Sequence, residues 1–229
     1  MRTKVDQGEG RMPSSALGKF EGAMMKDVDR IIATHTTLLT GTPGKKALGH
    51  LTRAGLLLLC SAWELYIEEV LIEAVKACGD RAGSPDELPL PVQKTIARYV
   101  RESKHDLKPL ALAGDGWKTI HLDIANEVVA ALNTPKKHNI DKIFRDLIGF
   151  EDLSGCWSVG AAAVNDFVEA RGDVAHRGSD SGYIKISKLN KTYKANICRA
   201  AIDTDNAVTT HIRESFTPKS YPWNRRSNI

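Results

Sequence analysis

Apolar residues in this chain recur almost throughout at spacings of three and four, and no segment alternates with the period of two that a half-buried strand requires. That pattern restricts the chain to helices packed on helices. The first run covers about residues 15–39, with Leu17, Phe20, Met24, Val28, Ile31 and Leu38 in step. Thr40-Gly-Thr-Pro-Gly44 breaks it, and a longer run follows from Lys45 to Ala77. There Leu56, Leu59, Trp63, Ile67, Val70 and Ala74 share one face, while Glu64, Glu68, Glu69 and Glu73 make the opposite side acidic. Gly79 and the Gly83-Ser-Pro-Asp86 cluster end this helix.

The middle of the chain is less regular. Pro91 can open a helix through Val100, residues 118–132 carry Ile120, Ile124, Val128 and Leu132, and Asn139 caps a short helix with Ile143, Phe144 and Leu147 inside. Residues 80–156 therefore read as a helical section inserted between two major helical pairs. A helix from Ser158 to His176 follows, then a turn at Arg177-Gly-Ser-Asp-Ser-Gly182. The last helix runs from Ile186 to Glu214, with Leu189, Tyr193, Ile197, Ala201 and Val208 inward. Residues 15–216 form one expected domain, with a flexible segment at 1–14 and a loose polar tail at 217–229 carrying Trp223 and Arg225-Arg226. Four long helices around one core is the expected all-α architecture.

Composition excludes several classes. The longest apolar run, Leu56 to Ala62, is far too short to span a bilayer, and the first residues lack an apolar secretory segment. A cytoplasmic protein without membrane attachment is expected. Cys60, Cys78, Cys156 and Cys198 are widely spaced, with no CxxC pair and no His at ligand spacing, so neither a disulfide framework nor a metal site is expected, and no cofactor is called for. A net charge of +4 permits an RNA partner without demanding one.

Chemistry concentrates at Arg171-Gly-Asp-Val-Ala-His176. Steps of four, three and four through Val164, Val168, Arg171 and Ala175 put the guanidinium on the helix's inward stripe. Buried Arg is rare unless paired or functional, and His is the side chain best suited to moving protons near pH 7. With 14 Arg and 7 His in the chain, roughly 0.4 such spacings arise by chance, so the pair gains meaning only from its surroundings. The plainer alternative is an Arg capping its own helix and a surface His beside it.

Two segments supply those surroundings. Ser61-Ala-Trp-Glu-Leu-Tyr-Ile-Glu-Glu69 and Ala170-Arg-Gly-Asp-Val-Ala-His-Arg-Gly178 resemble the HEPN superfamily, and most closely its RiboL-PSP-HEPN branch. The resemblance covers about residues 15–79 and 157–214, and implies an all-α HEPN-like four-helix bundle core. It also implies a metal-independent endoribonuclease of toxin–antitoxin or phage-defence type, with a partner antitoxin or defence protein possible. Arg171 and His176 match the family's Arg and His. The residue after the Arg, usually Asn, Asp or His, is here Gly172, which leaves Asp173 as the nearest polar group. The Tyr that some relatives carry two places after the His is here Gly178.

The groups suit RNA cleavage on chemical grounds. Internal attack by a ribose 2′-OH needs a base, an acid for the departing 5′ oxygen, and cations around the phosphorus. An imidazole serves as base or acid, and a guanidinium offers fork-shaped donors to two phosphate oxygens. Five residues along a helix is a rotation of about 140° and a rise of roughly 7.5 Å. A homodimer joined through the Arg171–His176 helix would bring two copies of the pair into one cleft. Asp173 could orient His176 or pair with Arg171, and Glu64 could reach Arg171 from the facing helix. Arg177, Lys185 and Lys188, continued by Lys191 and Lys194, make a basic strip for RNA phosphates or simply a solvated face. Trp63 and Tyr66 could stack bases, but at helical spacing with Ile67 and Val70 Trp63 reads as core. Two other functions stay open: a catalytically inactive HEPN domain that binds RNA or mediates dimerisation, and a helical partner protein whose Arg–His spacing is accidental.

Overall fold

The computed structural model describes residues 12–39, 47–178 and 184–226, and among these it contains seven helices and no strand. The expected break at residues 40–44, the expected helix start at Lys45 and the turn at residues 179–182 lie outside the described residues. Helix α1 spans residues 15–39. Ser14 Oγ accepts the Leu17 N–H at 2.9 Å, and the Glu73 carboxylate accepts the Ser15 and Ala16 N–H groups at 3.0 and 2.7 Å. Three donors that a helix start would otherwise leave open are thereby satisfied. A π turn at Phe20–Met24 inserts one residue into the helical register, which is why Met25 is buried where simple periodicity selects Met24. Leu38, expected inward, is 45% exposed near the end of α1.

Helix α2, Gly49–Arg81, is 33 residues long and forms the axis of the molecule. It buries residues on nearly every side, as a central helix must, rather than on one face. Its acidic side is also partly spent on packing: Glu73 holds the start of α1, and Glu69 pairs with Lys19 at 3.0 Å. Gly55 marks the closest approach of three helices. A Cβ there would lie 2.7 Å from Leu189 Cδ2 and 3.3 Å from Ile31 Cγ2. Trp63 and Tyr66 are fully buried; Trp63 Nε1 donates to the Pro135 carbonyl at 3.2 Å, and the Tyr66 hydroxyl donates to that of Ala201 at 2.8 Å.

Helices α3 (Leu90–Glu102), α4 (Gly116–Ala130) and α5 (Lys137–Ile148) build the middle section. Their Val92, Ile96, Trp117, Ile124, Phe144 and Leu147 belong to the same buried cluster as α2. Asn139 does not cap α5. Its amide donates to the Thr134 carbonyl at 2.8 Å, and the helix begins two residues earlier, at Lys137. Gly149 ends α5 with φ of 76°, where a side chain would strike Pro89 Cβ at 2.3 Å.

Helices α6 (Ala161–Arg177) and α7 (residues 186–215, with a π turn at Leu189–Lys194) complete the bundle. The tail is not loose. Phe216 and Trp223 are buried, the Trp223 carbonyl accepts from Thr209 Oγ1 at 2.7 Å, and the Asn206 side chain exchanges two hydrogen bonds with the Arg226 backbone at 3.0 and 2.7 Å. Burial of one tryptophan anchors an otherwise polar strap along α7. Of the segment expected to be flexible, residues 1–11 lie outside the described residues, whereas Met12 accepts the Asn224 N–H at 3.2 Å and Ser14 is buried. Beneath the strap, Ser14 Oγ donates to the fully buried Asp205 carboxylate, and burial pushes that carboxyl up to about 6 against the Ser14 hydrogen bonds. Among the described residues no helix is long and apolar enough to cross a membrane.

Candidate functional site

Helix α6 turns Val164, Phe167, Val168 and Val174 into the core, and Arg171 lies on the same inward side. The burial thins out there: Arg171 is half-buried and Ala175, expected inward, is exposed. The charge of Arg171 is felt across the α2–α6 junction. Burial raises the Glu64 carboxyl above its ordinary range and Arg171 opposes that rise. Burial likewise pushes the Cys60 thiol up to about 11, again against Arg171, so Cys60 remains a protonated packing residue. Among the described residues no carboxylate bridges Arg171.

His176 is exposed. The helix runs unbroken through Gly172 to Arg177, and no atom lies within 4 Å of where a Gly172 Cβ would point. Arg171 and His176 therefore face directions about 140° apart on one copy of the helix.

The expected supporting residues are arranged differently from the sequence reading. Among the described residues Asp173 is bridged to neither Arg171 nor His176, although His176 lies three residues on and on a neighbouring face. Two residues along a helix is a rotation of about 200°, which turns Asp173 away from Arg171, and Asp173 meets Arg177, one turn on, at 4.0 Å. Lys188 reaches Asp166 at 3.7 Å and lies 4.7 Å over the Tyr193 ring. Lys194 pairs with Asp29 of α1. The strip of cations at every third residue is thus divided between the helices that flank α7, Lys188 going to α6 and Lys194 to α1, and does not form one free row. Lys185 remains exposed and without a carboxylate partner among the described residues.

One feature of the surface escaped the sequence reading. Leu58, Ser61 and Leu65 of α2 are exposed, the leucines at 38% and 43%. Helical geometry sets them about 60–120° round α2 from Glu64, beside the Arg171 junction. Leucines on the acidic side of α2 were the available signal. Among the described residues no three His, Cys, Asp or Glu side chains group as a metal site.

An all-α bundle whose penultimate helix ends on a half-buried Arg and an exposed His has the outline of a HEPN-type domain. The match to the model of RiboL-PSP-HEPN runs over residues 25–210, through the middle section as well as both helical pairs, and the chain belongs to this family. HEPN domains are often ribonucleases, and they often dimerise and bind RNA. Comparison with curated proteins and with solved structures found no match.

Proposed function

We propose that this chain is an endoribonuclease that cleaves RNA by 2′-OH attack without a metal, acting in the cytoplasm as a toxin or phage-defence effector. The observation that carries the reading is Arg171: a half-buried guanidinium, free of carboxylate bridges among the described residues, on the same helix as an exposed imidazole. In the reaction His176 takes the proton of a ribose 2′-OH as its oxygen bonds to phosphorus, and the bond to the 5′ oxygen breaks. A protonated imidazole gives that leaving oxygen its proton, while Arg171 holds two phosphate oxygens through charge-assisted hydrogen bonds. The products are a 2′,3′-cyclic phosphate and a 5′-hydroxyl. Exposed ion pairs hold weakly, so Arg177 and Lys188 can exchange their carboxylates for RNA phosphates, beside Lys185.

The 140° divergence calls for a second copy. The uncovered Leu58, Ser61 and Leu65 beside Glu64 favour a homodimer that joins α2 and α6 across a two-fold axis. The test is incubation with labelled RNA in EDTA, for the parent and for Arg171→Ala and His176→Ala, with a Leu58→Asp/Leu65→Asp variant examined by sedimentation. Chelator-resistant cleavage lost in all three variants, with the last one monomeric, is the expected result. Cleavage that survives either single substitution overturns the assignment. A second reading, a catalytically silent RNA-binding or dimerisation module, is favoured by Gly172 in place of a polar neighbour. RNA binding without cleavage would decide for it.

A further inference from the structure

The middle section carries a surface that its own fold leaves uncovered. Helix α3 packs on α4 and α5 and buries Val92, Thr95, Ile96 and Val100. Its outer face holds Leu90, Lys94, Ala97, Arg98 and Arg101, all exposed and spaced at helical intervals. These positions run about 16 Å along the helix, or three turns. Beside them a groove of about 480 Å³ opens between α3, the turn at Pro85–Glu87 and the short 3-10 helix Lys108–Leu112. Its walls are mainly aliphatic, from Leu90, Ile96, Ala97 and Leu112. Gln93, the one amide in the lining, already donates its nitrogen to the Asp86 and Leu88 carbonyls at 3.0 and 2.7 Å. Leu90, Leu107 and Leu110 are 59%, 62% and 69% exposed, the three most exposed leucines among the described residues. Single apolar side chains on a surface are ordinary. Three of them on one helix and the segment that packs back against it, next to an apolar groove, mark a contact surface.

The rim decides what covers it. Lys94, Arg98 and Lys104 make no ion pair among the described residues, and Arg101 meets only its exposed neighbour Glu102, at 3.6 Å. Asp86, the only acidic residue in the lining, is engaged by the Ser84 side chain and its own backbone, which hold its carboxyl below the usual range. Aliphatic walls edged by cations complement an amphipathic helix with leucines or isoleucines at spacings of three and four and with Asp and Glu on its flanks. RNA fits the surface poorly. Single strands bind by stacking bases on exposed aromatic faces, and no aromatic side chain lines the groove. Tyr99, the aromatic residue of α3, donates its hydroxyl to Glu127 at 2.8 Å and has Lys108 Nζ 5.1 Å over its ring. A flat bilayer, for its part, cannot fill a groove.

We propose that the outer face of α3 is a docking surface for an acidic amphipathic helix of a partner protein. The partner's apolar side chains enter the groove beside Leu90 and Ala97, and its carboxylates meet Lys94, Arg98 and Arg101 along the rim. The middle section thereby gains a role of its own, independent of the ribonuclease reading.

The probe is a phage-displayed library of helical peptides of mixed acidic, basic and apolar content, selected on the full chain. Selected peptides are then titrated against the parent, Leu90→Asp and Lys94→Glu/Arg98→Glu. All three substitutions are at exposed positions, an acid suits the first residue of a helix, and circular dichroism checks that the fold is intact. The expected peptides carry aliphatic residues at helical spacing between Asp and Glu, and they bind either variant at least tenfold more weakly. Selection repeated on Lys94→Glu/Arg98→Glu should return peptides flanked by Lys and Arg instead. Peptides without acidic flanks, or a selection that yields none distinguishing the parent from the variants, overturns the proposal. Single-stranded RNA, phosphatidylglycerol vesicles and sedimentation of the chain alone address the other occupants, and each should give the same result for parent and variants. RNA or vesicle binding that falls tenfold in Lys94→Glu/Arg98→Glu, or a smaller species for Leu90→Asp, assigns the surface to that occupant and overturns the partner helix.

Discussion

The strap end of the bundle and the Arg171 end treat polar groups in opposite ways. Along the C-terminal half of α7, polar side chains close on one another: Ser14 on Asp205, Asn206 on Arg226, Thr209 on Trp223. Asp203 accepts from the Ser158 N–H and hydroxyl at 2.8 and 2.6 Å and meets Arg199 at 3.3 Å. At the other end Arg53, Arg171 and Lys185 have no such partners among the described residues, and Arg177 and Lys188 hold exposed carboxylates at 4.0 and 3.7 Å. A closed network fixes a fold, because removing any member strands its partner. An open set of donors contributes little to folding and is available to a ligand. This difference supports the proposed site independently of the Arg–His spacing.

The contrast breaks most visibly if substitutions at the open end disturb stability, or if those at the strap end disturb chemistry. His176→Ala should lower RNA cleavage by roughly 10²–10⁴-fold, the usual worth of a general acid–base group. Its unfolding free energy should stay within about 0.5 kcal/mol of the parent's, since the side chain is exposed. Trp223→Ala should do the reverse, costing about 3 kcal/mol in urea unfolding through the buried indole while each folded molecule keeps its cleavage rate. A loss of rate greater than the unfolded fraction explains would show that the two ends are coupled.

Asp205 offers a milder test through pH. Burial raises its folded-state value from an ordinary 3.8 to about 6, so the native chain holds this proton more tightly than the unfolded chain does. Its contribution to stability is fully present below about pH 4 and is lost as pH rises through about 6. Asp205→Asn has no such proton. Relative to the parent, it should gain on the order of 3 kcal/mol in unfolding free energy between pH 4 and pH 8. A difference independent of pH would mean that the carboxyl beneath the strap is not held in this way.

Much of this architecture was legible in the residues, for reasons that also explain the failures. The long helices were readable because Leu17, Phe20 and Val28, or Ile197, Ala201 and Val208, repeat at helical spacing, and Trp63 is core as expected; Tyr66, a possible base-stacking residue in the sequence, is core as well. Periodicity assumes one register per helix, so the π turn at Phe20–Met24 shifted burial from Met24 to Met25 unseen. It also assumes one buried face, which α2 does not have. The tail looked loose because a single tryptophan among polar residues has no period to detect. At the site, the inward placement of Arg171 was readable from Val164 and Val168. The pairing of Asp173 with Arg177 follows from the same geometry and could have been anticipated. The dispersal of Lys188 and Lys194 to Asp166 and Asp29 could not, because it depends on which helices flank α7.

Gly172 provides the smallest expected effect and the most discriminating one. A glycine inside a helix costs roughly 0.5–1 kcal/mol relative to alanine through backbone entropy. The Cβ position at Gly172 meets no atom within 4 Å, so Gly172→Ala should raise stability by about that amount without strain. Gly172→Asn restores the polar neighbour common in the family at the same uncrowded position, with a smaller gain because asparagine is a weaker helix former. If a polar group there supports the chemistry, Asn should speed cleavage over both the parent and Ala, although Ala is the more stable of the two variants. If Asn and Ala leave the rate equally unchanged, Arg171 and His176 work without help from this position. Stability and rate respond differently in the two variants, so the pair tells a contribution to chemistry from mere stiffening of α6.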